Sequence, residues 1–189
     1  YSRINQKLIK EVVDLVFDLG ESVTVHAPRY GGKRYFITQV RQALERAGVA
    51  PLVQLDLPRQ QLIGTVDELY QQILCAVNQA AGEDLSEMCR QSPGSDGEQL
   101  LFSPIDNLVE KSGRPVILIV PHVDGMAHNL ARSLLQAIRP RVQQGKIIVV
   151  LSGETDLREL VHGPNSEFNC AHQYVLQGFD LFEFRSQIS

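Results

Sequence analysis

The residues of this chain with the clearest chemical potential stand together between two apolar segments, as Ala27-Pro28-Arg29-Tyr30-Gly31-Gly32-Lys33-Arg34. Their spacing follows the phosphate-binding pattern G-x-x-x-x-G-K-[ST]. In that loop glycines let successive backbone N–H groups turn inward, the helix that follows adds a positive field, and the lysine reaches the terminal phosphates. Gly32 and Lys33 fit. Ala27 stands for the first glycine, a position that need only be small. Arg34 stands for the Ser/Thr whose hydroxyl would bind Mg²⁺, and a guanidinium has no lone pair to give a metal. Pro28, Arg29, Tyr30, Gly31, Gly32, Lys33 and Arg34 are therefore the candidate nucleotide-phosphate contacts. Gly31-Gly32-Lys33 alone would also suit an ordinary turn into a helix; the strand before it and the helix after it favour the phosphate loop.

A second set follows the apolar run Val116–Val120, as Pro121-His122-Val123-Asp124. A phosphate-loop site places an Asp here to hold Mg²⁺ through water, and often a Glu to polarise the attacking water. Pro121 and His122 occupy those two positions and only Asp124 is retained. His122 is the candidate catalytic residue, a substitute base that is neutral near pH 7, or else a drifted position with a polar partner. Asp124 is the candidate metal contact, or else the cap of the helix containing Met126–Ile138. Ser152 and Thr155 stand where a strand-end polar group would sense a γ-phosphate, although a turn with an N-cap explains them equally well. Asp56 has a surface or loop-capping role as its default, and His26 reads as a satisfied core residue. The five histidines and three cysteines make no metal-ligand spacing. No G-x-S-x-G nucleophile elbow and no G-x-G-x-x-G dinucleotide fingerprint is present.

Such residues need a frame. Residues 7–19 carry an apolar face of helical period, and Ser22–Ala27 reads as a buried strand. A helix follows with Phe36, Ile37, Val40, Leu44 and Ala47 on one face, stopped by Gly48. Residues 51–57 form a second strand candidate. Thr65 and Glu68 make a capping box for a helix reaching about Ala81. The polar stretch from Gly82 to Gly97 reads as a variable surface loop. A helix over Glu98–Lys111, the strand Pro115–Val120, a helix over Met126–Ile138 and the strand Ile147–Leu151 come next. A short helix near Asp156–Val161, a strand at Gln173–Leu176 and a helix start at Asp180 complete the series. Short, continuous apolar strands separated by helices imply a parallel sheet covered on both faces. Ligands in such sheets lie at the carboxyl ends of the strands. Chemistry is therefore expected just after Ala27, Asp56, Val120 and Leu151.

At 189 residues, 43% of them hydrophobic, the chain suits one domain, 1–189, with a real core. Its 18 Lys+Arg against 22 Asp+Glu give a formal charge of −4, which argues against a dedicated nucleic-acid binder. Arg132, Arg139, Arg141 and Lys146 form a modest basic cluster, read as a solvated helix face. No apolar run approaches the roughly 20 residues of a membrane span. Cys75, Cys89 and Cys170, odd in number and widely spaced, read as reduced thiols in a cytoplasmic protein. The first residue is not Met and no secretory pattern follows, so the chain reads as an excised fragment.

Taken in order, these pieces resemble the AAA-like ATPase domain of the STAND class of signal-transducing P-loop NTPases, as a degenerate member. The resemblance rests on Pro28, Arg29, Gly32 and Lys33, on Leu55-Asp56-Leu57, on the helix of Thr65–Gln72, and on the run from Gly113 through Val120 into Asp124. It continues through Ala137-Ile138-Arg139-Pro140-Arg141, Leu151-Ser152-Gly153-Glu154-Thr155-Asp156-Leu157, and the stretch from Glu167 to Asp180. The resemblance implies a three-layer α/β/α sandwich with a five-stranded, mainly parallel sheet and the phosphate-loop strand in the middle. It further implies an ATP or ADP ligand, and a switch in a larger bacterial signalling protein that works through conformational change and oligomerisation. Other domains of the same polypeptide and protein partners would be its contacts, and the family's helical lid and winged-helix parts would lie outside this chain. Arg34, Pro121 and His122 depart from the family at the positions that manage Mg²⁺ and water. They favour a nucleotide-binding switch or scaffold with weak or no hydrolysis. An active ATPase with rearranged ligands, and an interaction module whose pocket is filled by Arg29, Tyr30 or Arg34, are the alternatives. A DNA-linked ATPase is the fourth reading, opposed by the acidic balance.

Overall fold

A computed structural model describes residues 3–28, 31–48, 51–57, 64–82, 102–154, 160–161 and 170–176. The described strands are β1 (Ser22–His26), β2 (Leu52–Gln54), β3 (Val116–Val120), β4 (Ile147–Gly153) and β5 (Ala171–Val175). The helices are α1 (Arg3–Asp18), α2 (Lys33–Arg46), α3 (Val66–Ala81), α4 (Ser103–Ser112) and α5 (His128–Gln143). The strands form one sheet in the order β2-β3-β4-β1-β5, and every adjacent pair is parallel. The expected sandwich and sheet are therefore present, with one correction. β4 holds the centre, and β1, the phosphate-loop strand, lies beside it as the second strand from the β5 edge. Both β2 and β3 lie on the far side of β4, so only β5 remains to cover the outer side of β1.

Strand alternation divides the core in two. Ile117 and Ile119 of β3 turn to one face, with Val23 and Val25 of β1 and Ile148 and Val150 of β4, under α1 and α2. Val116, Leu118 and Val120 turn to the other, with Val149 and Leu151, under α3, α4 and α5. Adjacent strand residues point to opposite sides, and both sides are apolar here because both are covered. All of β1, β3 and β4 is buried.

The helix that follows β1 thus packs on one face and the helix that follows β3 on the other, with β4 between them. That divergence opens a crevice at the carboxyl ends of β1, β4 and β3, the place where open α/β sheets receive ligands.

Several boundaries differ from the sequence reading. α1 begins at Arg3, and α2 already includes Lys33. α5 starts at His128, behind a 3₁₀ turn at Val123–Gly125, and runs through Pro140 to Gln143. The capping box at Thr65 forms as expected: its hydroxyl accepts the Glu68 N–H at 3.2 Å, and Glu68 Oε2 accepts those of Thr65 and Gly64 at 3.1 and 2.9 Å. The loop at 83–97, the short helix near 156–159 and the helix start at Asp180 lie outside the described residues.

Candidate phosphate-binding site

The loop after β1 is shaped by its two glycines. A Cβ on Gly31 would lie 2.9 Å from the Pro28 carbonyl oxygen and 3.1 Å from Ala27 Cβ, so only glycine fits; its N–H donates to that same carbonyl at 2.9 Å. Gly32 has φ +78°, in the left-handed region that glycine adopts without strain, and it forms the N-cap of α2. Its carbonyl receives the Phe36 N–H at 3.0 Å. Glycine offers no side-chain acceptor and the first turn carries no acidic residue. The start of α2 therefore has no side-chain cap and no carboxylate of its own against its positive field.

Lys33 is 5% exposed, and its ammonium donates to the Ala27 carbonyl at 3.0 Å and pairs with Glu154 Oε1 at 3.3 Å. Glu154 follows the last residue of β4. Its backbone N–H donates to both carboxylate oxygens of Asp124, each at 3.1 Å. The crevice thus joins the ends of three strands: Lys33 from the loop after β1, Glu154 after β4 and Asp124 after β3. The Ala27 N–H donates to the Gly153 carbonyl at 3.2 Å, continuing the β1–β4 ladder into the loop.

Asp124 does not cap α5, the helix expected over Met126–Ile138. That helix has Ala127 at its N-cap and no side-chain cap. The 3₁₀ turn, closed by the Gly125 N–H on His122 O and the Met126 N–H on Val123 O, consumes the intervening residues and aims Asp124 at β4. Ser152 is fully buried within β4, and its hydroxyl donates to the Pro121 carbonyl, tying the ends of β4 and β3 together. His122 is half-buried, at the junction between β3 and the 3₁₀ turn. Arg34 is exposed on the first turn of α2. Arg29, Tyr30 and Thr155 lie outside the described residues. Asp56 is exposed and accepts from Gln54 Nε2 at 2.6 Å.

Glu154 is the site residue that the motifs did not single out. Its only signal in the sequence is an acid placed at the end of an apolar strand, on the edge where Lys33 also emerges. The basic cluster is also reassigned in part. Arg141 is not on a solvated face: it pairs with Asp106 at 2.6 Å and stacks 4.9 Å from the centre of the Phe102 ring.

A phosphate group fits the chemistry of these residues: a glycine-shaped turn, a helix start without a side-chain cap and a lysine ammonium all belong to the segment 27–33. The donor set for a metal fits less well. Arg34 and Pro121 offer no metal-binding atom in their side chains, and among the described residues no three His, Cys, Asp or Glu side chains are grouped to hold an ion.

No protein-family profile matches the chain, and no curated protein matches it in sequence. Solved structures do. Cdc6p from Pyrobaculum aerophilum superposes with a TM-score of 0.66 at 9% identity, over 97% of this chain and 48% of that one. ORC1 of Aeropyrum pernix, solved in complex with DNA, gives 0.59 at 12% identity, over 97% and 49%. PCH-2 of C. elegans gives 0.52 at 10% identity, over 99% and 46%. This chain has the AAA-like P-loop ATPase fold. It spans about half the length of each of these three neighbours, and 30% of a chain in the Drosophila ORC complex bound to DNA and Cdc6.

Proposed function

We propose that this chain is the nucleotide-binding core of a larger cytoplasmic protein, a STAND-type signalling switch or scaffold with little or no ATP hydrolysis. The observation that carries the reading is the pairing of a retained phosphate lysine with a dismantled metal site. Lys33 is buried at the crevice beside a glycine-shaped turn, whereas Arg34, Pro121 and His122 hold the positions of the Mg²⁺ hydroxyl, the Mg²⁺ carboxylate and the water-polarising acid. ATP or ADP would lie with its phosphates against Gly31, Gly32 and Lys33. Binding would favour one arrangement of the neighbouring domains or of further copies of the chain, without a chemical step. His122 as a base and Asp124 as a metal contact belong to the rival reading, an ATPase with rearranged ligands. A phosphate-release assay separates the two: release at the buffer rate supports the switch, and steady release that disappears in Lys33→Ala establishes the enzyme.

DNA binding is a second reading, favoured by the DNA-bound neighbours from Aeropyrum and Drosophila. The net charge of −4 opposes it, as does the engagement of Arg141 by Asp106. Affinity for duplex DNA that falls steeply with added salt would support it.

A further inference from the structure

Lys33 already has an anion. The Glu154 carboxylate lies 3.3 Å from its ammonium, where a phosphate oxygen bound to this lysine would make its contact. The two partners are unequal. Lys33 is 5% exposed and held from behind by the Ala27 carbonyl, while Glu154 is 42% exposed and open to water. The ammonium is therefore the fixed half of the pair and the carboxylate the half able to leave. Glu154 is held at its backbone N–H, by both oxygens of Asp124. Its side chain can therefore swing away without releasing the end of β4.

We propose that Glu154 is an internal gate, a carboxylate that takes the place of phosphate on Lys33 and must be displaced when a nucleotide binds. This inference rests on the nucleotide-binding reading above and adds to it a competition between protein and ligand for one lysine. It also accounts for the retention of a buried lysine beside a dismantled metal site, because Lys33 has a partner in both states.

The test is calorimetric titration of wild type, Glu154→Gln and Lys33→Ala with ATP, in EDTA, at 0.1 and 0.5 M NaCl. Circular dichroism melts check that the variants are folded. Removing a competitor of this strength is expected to tighten ATP binding about two- to fivefold in Glu154→Gln. The tightening should persist at 0.5 M NaCl, because direct competition at a buried ammonium is screened far less than a distant charge. Lys33→Ala should bind no ATP. Equal affinities for wild type and Glu154→Gln would overturn the gate and leave the nucleotide reading intact. Tightening that vanishes at 0.5 M NaCl would also overturn it, by assigning the effect to net charge. Absence of ATP binding in both wild type and Glu154→Gln would overturn the gate and the nucleotide reading together.

Discussion

Two cation–carboxylate pairs lie at different places in this fold, and they are built differently. Arg141 of α5 meets Asp106 of α4 through three N–H···O contacts, at 2.6, 3.0 and 3.2 Å. The same guanidinium lies over Phe102 and donates to the Ala137 carbonyl at 2.9 Å. Both partners are half-buried, at 19% and 28% exposure. Lys33 and Glu154, at the crevice, share one contact, and only the lysine is buried. The planar fork of Arg141 locks two helices together, as bidentate charge-assisted bonds do. The point charge of Lys33 can exchange one anion for another. A pair that fixes structure and a pair that admits ligand are thus distinguished by the number of bonds and by which partner faces water.

Of the residues in the two pairs, Asp106 should be the most costly to lose. Asp106→Ala leaves the guanidinium half-buried without its carboxylate and is expected to lower unfolding stability by about 2 kcal/mol. Arg141→Lys, which keeps charge but loses the fork and the ring stacking, should cost about 1 kcal/mol. Urea unfolding at constant m-value measures both. Glu154→Gln, the corresponding change at the crevice, should cost less than about 1 kcal/mol, since its carboxylate is already well solvated. A stability loss in Glu154→Gln equal to that in Asp106→Ala would erase the distinction.

A third carboxylate sharpens it on a smaller scale. Among the described residues, Glu68 pairs with no cation. Its pKa is lowered by the backbone N–H groups of Gly64 and Thr65 first, and then by the Thr65 side chain. The charged form is therefore favoured by folding. That contribution is complete above the ordinary Glu range and is lost as pH falls through the lowered folded value. The melting-temperature difference between wild type and Glu68→Gln should thus be constant near neutrality and disappear in acid. A difference that grows on acidification would contradict this assignment.

Much of the fold was legible because it is local. The capping box at Thr65–Glu68 specifies a helix start with four residues, and Gly48, at φ +67°, marks the end of α2 where glycine was expected. The unbroken apolar runs of β3 and β4 announced a sheet covered on both faces. The site was legible in its loop and illegible in its cross-sheet contacts. Gly32 and Lys33 follow a spacing rule, but the meeting of Lys33 with Glu154 depends on β1 lying next to β4, a fact of strand order. The cap reading of Asp124 fails for a related reason. A cap is the local option for an Asp ahead of a helix, whereas its actual partner is a backbone N–H beyond β4. Arg141 likewise reads as one more exposed base on α5 until α4 brings Asp106 and Phe102 against it.

Titration of this chain with ATP in EDTA, and again in excess Mg²⁺, asks whether a phosphate lysine retained beside a lost metal site binds nucleotide without the ion. Binding of similar affinity is expected in both. Binding that appears only with Mg²⁺ would contradict that expectation, because Arg34 and Pro121 leave no side-chain ligand at the positions where such dependence arises.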